Sequence, residues 1–530
     1  MRTLVINLTR FGDLLQTQPV ISGLKARGEE VGLVCLDNFS GAARLLGGVD
    51  AVFPLPGAAL LAGLDRAWTD GLGLLWSWAQ DTLRPFGAQR VLNLTATLPG
   101  RLLTRLAGDA PQVGFGMDAF GFGRNTSAWA AFLVASSRNR GSSPYNLVDQ
   151  FCEVAGLERA GREYALAGAD AGARARADAL LAAAPAGTRG LVGFQLGASA
   201  AVRRWPLERF AELGALLWRG HGLCPVLLGA PDEAGLGARF MAREACPALD
   251  LTGRTALPEL AAVLGRMRLL VSNDTGTMHL AAGLGVPICA VFLATAQPWD
   301  TGPYAEGCLC LEPDMPCHPC GFHHACTLGH ACRRAVEAGA VYHYITRWLE
   351  GGAWAAPAAD APGAGPGVRA WVTRRDAFGG MDLESLTGHE AEDRTAWIRI
   401  QRHFYRQFLD GERPGPMAKV PALSAPFRAE VAPVLAQSAQ VLFLLRQQVG
   451  ALGRAPLAGL KDKVLGNFER LAALWGGSAR FAVLADLWRE QAQEYAKDFS
   501  ALPALIEAWH ALLDAWSQAV PPLARDLNQE

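Results

Sequence analysis

Short apolar runs alternate with amphipathic stretches through the first two thirds of the chain. Residues 4–8, 31–35 and 90–94 are apolar runs of strand length, and the residues after the first run repeat apolar positions at helical spacing. A second series starts at residues 191–196 and continues through residues 269–271. Strands that alternate with helices in this order predict two α/β units, each built on a parallel sheet.

The last part of the chain has a helical pattern only. Two apolar stripes repeat at the spacing of one helix face: Trp397, Ile400, Phe404 and Phe408, and Leu505, Trp509, Leu512 and Trp516. Aromatic stripes of this kind are typical of a helical core, so we assign them no ligand. A tract rich in alanine, glycine and proline predicts a linker over residues 351–368. We therefore expect a separate helical domain over residues 369–530, whose role the sequence does not indicate.

Composition narrows the class of protein. The chain has 530 residues, half of them hydrophobic, and a net charge of −1, which argues against broad electrostatic capture of nucleic acid. The N-terminus lacks the apolar segment and cleavage site of a signal peptide, and no run approaches the ~20 apolar residues that span a bilayer. These features predict a cytoplasmic protein, and peripheral contact with the inner membrane face stays compatible with them.

The most informative stretch is an apolar run followed by a polar turn and a helix, over residues 269–287. In an open α/β sheet such a turn lies at the carboxyl end of a strand, where ligands bind. The amides of Thr275 and Gly276 can bind phosphate, and Asp274 can bond a sugar hydroxyl. The alternative is that Asp274 or Thr275 merely caps the helix. Neither α/β unit carries the glycine-rich turn of a dinucleotide-binding protein or of a P-loop.

Four segments in the same order resemble the ADP-heptose:lipopolysaccharide heptosyltransferase family, glycosyltransferase family 9. They are an opening strand with its Gly12-Asp13 turn, residues 195–206, residues 227–255, and the Asp274-Thr275-Gly276 turn with His279. The resemblance covers roughly residues 1–350. It implies the α/β GT-B architecture, in which two Rossmann-like domains face each other across a cleft. We expect an acceptor-side domain over residues 1–165 and a nucleotide-sugar-binding domain over residues 166–350.

The resemblance also implies residues for the donor. Arg203, where the family often has a lysine, and Arg204 would bind the diphosphate together with Asp274, Thr275, Gly276 and His279. The alternatives are a solvated loop for the arginines and simple packing for His279. The family places an acidic residue for the ribose near residues 257–260. Pro258 falls on that position here, so Glu259 beside it is the candidate.

Asp13 matches the catalytic aspartate of the family and is the candidate general base. The alternative is an N-cap for the helix that follows. Attack opposite the departing diphosphate would invert the anomeric carbon, and no metal is required because arginines and a helix start stabilise the leaving group.

A cluster of cysteines follows in a loop over residues 308–332. Cys317, Cys320, Cys326 and Cys332 have the spacing C-x2-C-x5-C-x5-C, compact enough to surround one ion. In the cytosol a structural zinc or an iron–sulfur cluster is a better explanation than disulfides. The alternative is a reduced, packed loop.

The sequence and the resemblance therefore predict an inverting glycosyltransferase that moves a heptose or related sugar from an ADP-sugar or similar nucleotide sugar to a lipopolysaccharide core or another surface glycan. Its partners would be the nucleotide sugar and a glycan or glycolipid acceptor. Two alternatives stay open: a catalytically silent GT-B scaffold, and a GT-B nucleotide-sugar epimerase that needs no acceptor.

Overall fold

The computed structural model describes residues 1–159, 161–322, 325–356, 367–454, 458–495 and 500–521. These residues form two compact units. The first unit comprises residues 1–123 and 146–387, and the second comprises residues 124–145 and 388–530. Residues 357–366 of the predicted linker lie outside the described residues.

The first α/β domain has the element order that its apolar runs predict. The elements through residue 154 are, in chain order, β1 Arg2–Ile6, α1 Phe11–Leu15, α2 Gln18–Ala26, β2 Glu30–Leu36, α3 Ser40–Ala43, β3 Ala51–Leu55, α4 Gly57–Arg66, α5 Trp68–Trp78, β4 Arg90–Asn93, α6 Leu98–Leu106, β5 Gln112–Met117, β6 Gly123–Asn125, α7 Ala128–Arg138 and α8 Leu147–Val154. Of these, α7 belongs to the helical unit described below. The sheet order is β3-β2-β1-β4-β5-β6, and β3 to β5 are parallel. Because β1 is an inner strand, Leu4, Val5 and Ile6 are completely buried.

The second α/β domain is built on a larger sheet. Its elements are α9 Ala171–Leu181, β7 Gly190–Gln195, α10 Leu207–His221, β8 Leu223–Leu228, α11 Ala234–Met241, β9 Leu249–Asp250, α12 Leu257–Leu264, β10 Leu269–Asn273, α13 Gly276–Gly283, β11 Ile288–Val291, α14 Pro298–Thr301, β12 Leu309–Pro313, α15 Cys332–Ala335, α16 Ala338–Gly351, β13 Val368–Arg375 and β14 Met381–Ser385. The order is β14-β13-β12-β11-β10-β7-β8-β9, and β9 to β12 are parallel. The apolar run before the polar turn is thus an inner strand, β10, as expected.

The expectation of a purely helical region from residue 369 is wrong for its first residues. β13 and β14 form an antiparallel hairpin that extends the second sheet beyond β12. Valine, tryptophan and threonine in β13 favour extended backbone. Trp371 is buried opposite Cys310 of β12, and its indole N–H donates to the buried Glu312 carboxylate at 2.9 Å. The pairing with β12 therefore decides the conformation of this segment.

The second unit is helical. It contains α7 with α17 Asp393–Leu409, α18 Ala425–Leu452, α19 Ala458–Gly476, α20 Ala482–Tyr495 and α21 Leu502–Ala519. The two predicted stripes meet in its core. The ring centres of Trp397 and Trp516 lie 5.1 Å apart, as do those of Phe408 and Trp509. The predicted first domain, residues 1–165, includes α7, whereas in the structure this helix belongs to the helical unit. Within the part of the chain that is described, no helix has the length and apolar character needed to cross a bilayer.

Candidate active site

Two glycines bring the start of α1 against the start of α13. A Cβ atom on Gly12 would lie 2.9 Å from His279 Cδ2 and 3.1 Å from Gly276 Cα. A Cβ atom on Gly276 would lie 2.2 Å from Phe11 Cδ1 and 3.3 Å from the Gly12 nitrogen. Only residues without a side chain allow so close an approach. The helix starts that follow β1 and β10 are therefore in direct contact within the first unit.

Asp13 lies in the first turn of α1 and is half-buried. Its backbone carbonyl accepts hydrogen bonds from Asn7 Nδ2 at 3.3 Å and from Thr17 Oγ1 at 3.4 Å. The N-cap of α1 is Arg10, so the alternative in which Asp13 caps this helix is wrong. Asp13 directly follows Gly12, the residue that contacts the start of α13.

The start of α13 has no side-chain cap. Thr275 is the N-cap residue, but its side chain makes no capping hydrogen bond. Its hydroxyl lies 3.3 Å from the Ser272 hydroxyl instead. The first amides of a helix have no partner within the helix and favour a negatively charged group, so the phosphate role of this turn stays a prediction.

Arg203 is held in a fixed position near this turn. The residue is 9% exposed, its Nε donates to Thr295 Oγ1 at 2.8 Å, and Nη1 lies 3.7 Å from Asp274 Oδ2. Its guanidinium carbon also lies 5.4 Å from the ring centre of Phe322. The alternative of a solvated loop is therefore wrong for Arg203.

Arg204 is oriented by the backbone of the same loop. Its Nε donates to the Ala198 carbonyl at 3.0 Å, and its own carbonyl accepts from Arg333 Nε at 3.0 Å. The structure brings Arg203, Asp274 and Thr275 together and leaves Arg204 directed into the loop that begins after β7.

His279 lies at the junction of the two helices. It is 5% exposed, and its ring edge faces Gly12. Its backbone carbonyl accepts a hydrogen bond from the Tyr164 hydroxyl at 3.0 Å. Packing and a ligand role are both compatible with this position, since the ring fills the space between α1 and α13.

Sequence reasoning missed Asn273, the last residue of β10. This amide is completely buried and donates to the carbonyls of Gln195, Leu196 and Gly197 at 3.2, 3.2 and 3.0 Å. Its oxygen accepts the Trp205 backbone N–H at 2.8 Å. Asn273 thereby ties the arginine-bearing loop to the strand that leads into Asp274. The sequence feature that could have indicated this role is an asparagine just after a buried apolar run, at the start of the polar turn.

Sequence reasoning also missed Glu233. Its carboxylate covers the end of β7 so closely that a Cβ atom on Gly197 would lie 1.6 Å from Oε1. Oε2 accepts the Ala230 backbone N–H at 3.1 Å and Gln195 Nε2 at 3.2 Å. Gln195 Oε1 in turn accepts the Thr277 hydroxyl at 2.9 Å. A hydrogen-bonded chain therefore runs from Glu233 to the first turn of α13.

Glu259, the acid predicted for the ribose, has two partners of its own. One carboxylate oxygen accepts the Ala256 backbone N–H at 2.9 Å at the start of α12, and the other binds Arg176 Nε. The Ala256 hydrogen bond, followed by Arg176, lowers the pKa of Glu259. Both contacts serve the local helix, and the ribose role of Glu259 stays a prediction.

All eleven cysteines of the chain, including those of the cysteine-rich loop, are free thiols. Cys317 and Cys326 are exposed, Cys320 is half-buried and Cys332 is buried. Burial, and then the charge of neighbouring cysteines, raises the pKa of the Cys320 thiol; burial also raises the pKa of Cys332. Among the residues described, no three of these sulfur atoms lie within 4.8 Å of one another. The thiols share a neighbourhood but do not form a closed tetrahedral site.

The sequence is similar to one family of known proteins. Residues 80–331 match the family model described as glycosyltransferase family 9 (heptosyltransferase). The chain is 30% identical over 127 residues to lipooligosaccharide heptosyltransferase 2 of Haemophilus influenzae, covering 23% of this chain and 36% of that protein. It is 25% identical over 336 residues to lipopolysaccharide heptosyltransferase 1 of Pseudomonas aeruginosa, covering 60% of this chain and 86% of that protein. The match to the first of these relatives thus spans about a third of its length.

The solved structure of Escherichia coli ADP-heptose lps heptosyltransferase II is also similar, at 18% identity and a TM-score of 0.46. The similarity covers 59% of this chain and 90% of that structure. Two α/β domains, each built on a largely parallel sheet, and the helix starts of α1 and α13 in contact between them form the GT-B-like arrangement that the resemblance implies. Residues 80–331 are the part of the chain that is similar to glycosyltransferase family 9.

Proposed function

We propose that this protein is an inverting glycosyltransferase that transfers a heptose or related sugar from an ADP-sugar to a lipopolysaccharide core or similar surface glycan. The observation that carries the proposal is the Gly12–Gly276 contact, which sets Asp13 beside the start of α13. The names of the relatives support a heptose as the transferred sugar and a lipopolysaccharide or lipooligosaccharide as the acceptor. Asp13, Asp274, Thr275 and His279 occur together, which disfavours a silent scaffold.

The chemistry follows from the positions of the charges. Asp13 accepts the proton of an acceptor hydroxyl while that oxygen forms a bond to the anomeric carbon of the sugar. The bond from the anomeric carbon to the diphosphate oxygen breaks, and its electron pair leaves with ADP. Arg203 and the first amides of α13 stabilise the charge that develops on the leaving group. Attack from the face opposite the diphosphate inverts the anomeric carbon.

A transfer assay tests this function. The whole chain is incubated with ADP-heptose, with and without a lipopolysaccharide-core acceptor, and release of ADP and the anomeric configuration of the product are measured. Acceptor-dependent release with inversion supports the proposal. Binding of ADP-heptose without any turnover would indicate a silent scaffold, and acceptor-independent change of the sugar would indicate an epimerase.

For the donor ribose we propose Glu233, supported by its position at the end of β7 and its hydrogen-bonded connection to α13. We expect Glu233→Gln to raise the KM for ADP-heptose about tenfold, since a hydrogen bond to a charged acceptor is lost. Glu259→Gln is the matched comparison and is expected to change KM less than about twofold. The opposite ranking, measured by steady-state kinetics, would restore Glu259 as the ribose ligand.

A peripheral contact with the membrane is supported by an apolar surface on α4 and α5. Gly63 and Gly71 let these helices approach, because a Cβ atom on Gly63 would lie 3.1 Å from Gly71 Cα. The bulky side chains point outward: Leu61, Leu64, Trp68, Leu72 and Trp76 are 52–69% exposed. Leucine with exposed tryptophan is typical of helices that lie in the lipid headgroup region. We propose that this surface holds the enzyme at the bilayer that carries its glycolipid acceptor.

The double variant Trp68→Ser, Leu72→Ser is expected to reduce binding to phosphatidylethanolamine/phosphatidylglycerol vesicles about tenfold or more, because apolar area is removed from the contact. Cosedimentation measures it. The double variant Phe443→Ser, Leu444→Ser removes comparably exposed residues of the helical unit and should bind as the unchanged protein does. Binding should persist at high salt, since residues 57–78 carry two aspartates and one arginine. If both variants bind equally, α4 and α5 are not the contact.

For the cysteine-rich loop we retain a structural zinc or iron–sulfur cluster as a proposal, with Cys317, Cys320, Cys326 and Cys332 as the ligands. Four closely spaced thiols are the donor set that these metals prefer, and the loop would have to draw its sulfur atoms closer together. We expect protein purified without air to hold about one equivalent of zinc or a stoichiometric amount of iron by elemental analysis. If the metal content does not fall in a Cys317→Ser, Cys320→Ser variant, these cysteines are not the ligands and the loop is a reduced, packed one.

A further inference from the structure

The cysteine-rich loop and the helix α15 that follows it contact Arg203 and Arg204. Phe322, at the exposed tip of the loop, lies with its ring centre 5.4 Å from the guanidinium carbon of Arg203. Arg333, which follows the last cysteine of the loop, donates to the Arg204 carbonyl at 3.0 Å.

A third contact acts through the partner of Arg203. The Cys320 backbone N–H donates to the Ala294 carbonyl at 2.8 Å, and Ala294 has a left-handed backbone with φ of +55°. A residue other than glycine keeps such a conformation only where its surroundings hold it. The next residue, Thr295, accepts the hydrogen bond from Arg203 Nε at 2.8 Å. The loop thus fixes both the face of the Arg203 guanidinium and the hydroxyl that it binds.

We propose that Phe322 is a positioning residue of the donor site, and that the cysteine-rich loop orients Arg203 toward the diphosphate. A cation is attracted to the face of an aromatic ring, and this attraction restricts the plane of the guanidinium. An arginine held in advance loses less side-chain freedom when a diphosphate binds. This inference rests on the proposed function, because it takes a nucleoside diphosphate as the ligand.

Affinity for ADP, measured by calorimetry on the whole chain, tests the proposal. Phe322→Leu is expected to weaken ADP binding ~3- to 10-fold, and Phe322→Trp is expected to keep it, because tryptophan preserves the aromatic face. Leu328→Ala changes another exposed side chain of the same loop and should leave the affinity unchanged. A purely structural role for Phe322 would lower the melting temperature without this difference between leucine and tryptophan.

A double-mutant cycle with Arg203→Gln identifies the route of the effect. If Phe322 acts through Arg203, Phe322→Leu has no further effect on ADP affinity once the guanidinium is gone. An equal loss in both backgrounds, or no loss in either, overturns the proposal while ADP binding by the unchanged protein still supports the donor. An unchanged protein that does not bind ADP would instead overturn the proposed donor, and the positioning role with it.

Discussion

Replacement of Asp13 with asparagine is expected to lower kcat by about three orders of magnitude, within the range that a lost general base costs. Asparagine keeps the size of the side chain and its place beside the Gly12 contact, but it cannot take the acceptor proton. ADP affinity should change less than about twofold, because in the proposed mechanism Asp13 acts on the acceptor while Arg203 and the start of α13 bind the diphosphate. Single-turnover kinetics and calorimetry measure the two quantities on the same preparation.

Asp81→Asn is the control for this variant. Asp81 is exposed and belongs to the same α/β domain, so its loss should leave both quantities unchanged. Near-normal turnover of the Asp13→Asn protein would remove Asp13 from the mechanism. A loss of ADP affinity as large as the loss of turnover would mean that Asp13 belongs to the donor site.

Replacement of Gly276 with alanine should lower kcat/KM about a hundredfold. The new methyl group would lie 2.2 Å from the Phe11 ring, so α1 and α13 must separate or the ring must leave its place. Misplacement of a reacting group by about 1 Å can cost a factor of this size. The circular dichroism spectrum and melting temperature should stay close to those of the unchanged protein, since the change affects one contact at the ends of two short helices.

Two further variants test the steric origin of this loss. Phe11→Ala in the Gly276→Ala chain removes the ring that the methyl group would strike, and should recover part of the activity. Gly73→Ala places a methyl group on α5, where no atom lies within 4 Å, and should leave activity unchanged. If Gly276→Ala keeps full activity, the close approach of the two helices has no role in catalysis.

The sequence predicted the parts of the site that depend on local order along the chain. The polar turn after β10 and the Gly-Asp turn after β1 follow buried apolar runs, and both open helices as expected. Residues 80–331 match the family that the ordered segments resembled.

What the sequence could not provide depends on contacts between distant segments. Glu233 and Glu259 both follow a strand and open a helix, and only the fold shows that one faces the end of β7 and the other binds Arg176. The contact of Gly12 with Gly276 has no local signature, because each glycine is compatible with an ordinary turn. In the same way, the β13–β14 hairpin depends on an open edge of β12 that no pattern in residues 368–385 reveals.

The chain enters the helical unit twice, first with α7 and again after residue 388, and this has a consequence for any attempt to shorten the protein. Trp129 and Phe132 of α7 are buried there, and the Trp129 indole donates to Asp410 at 2.9 Å. Truncation within the linker would thus expose the aromatic side chains of α7 to water. A shortened protein would therefore need polar substitutions on the buried face of α7 as well as a new C-terminus.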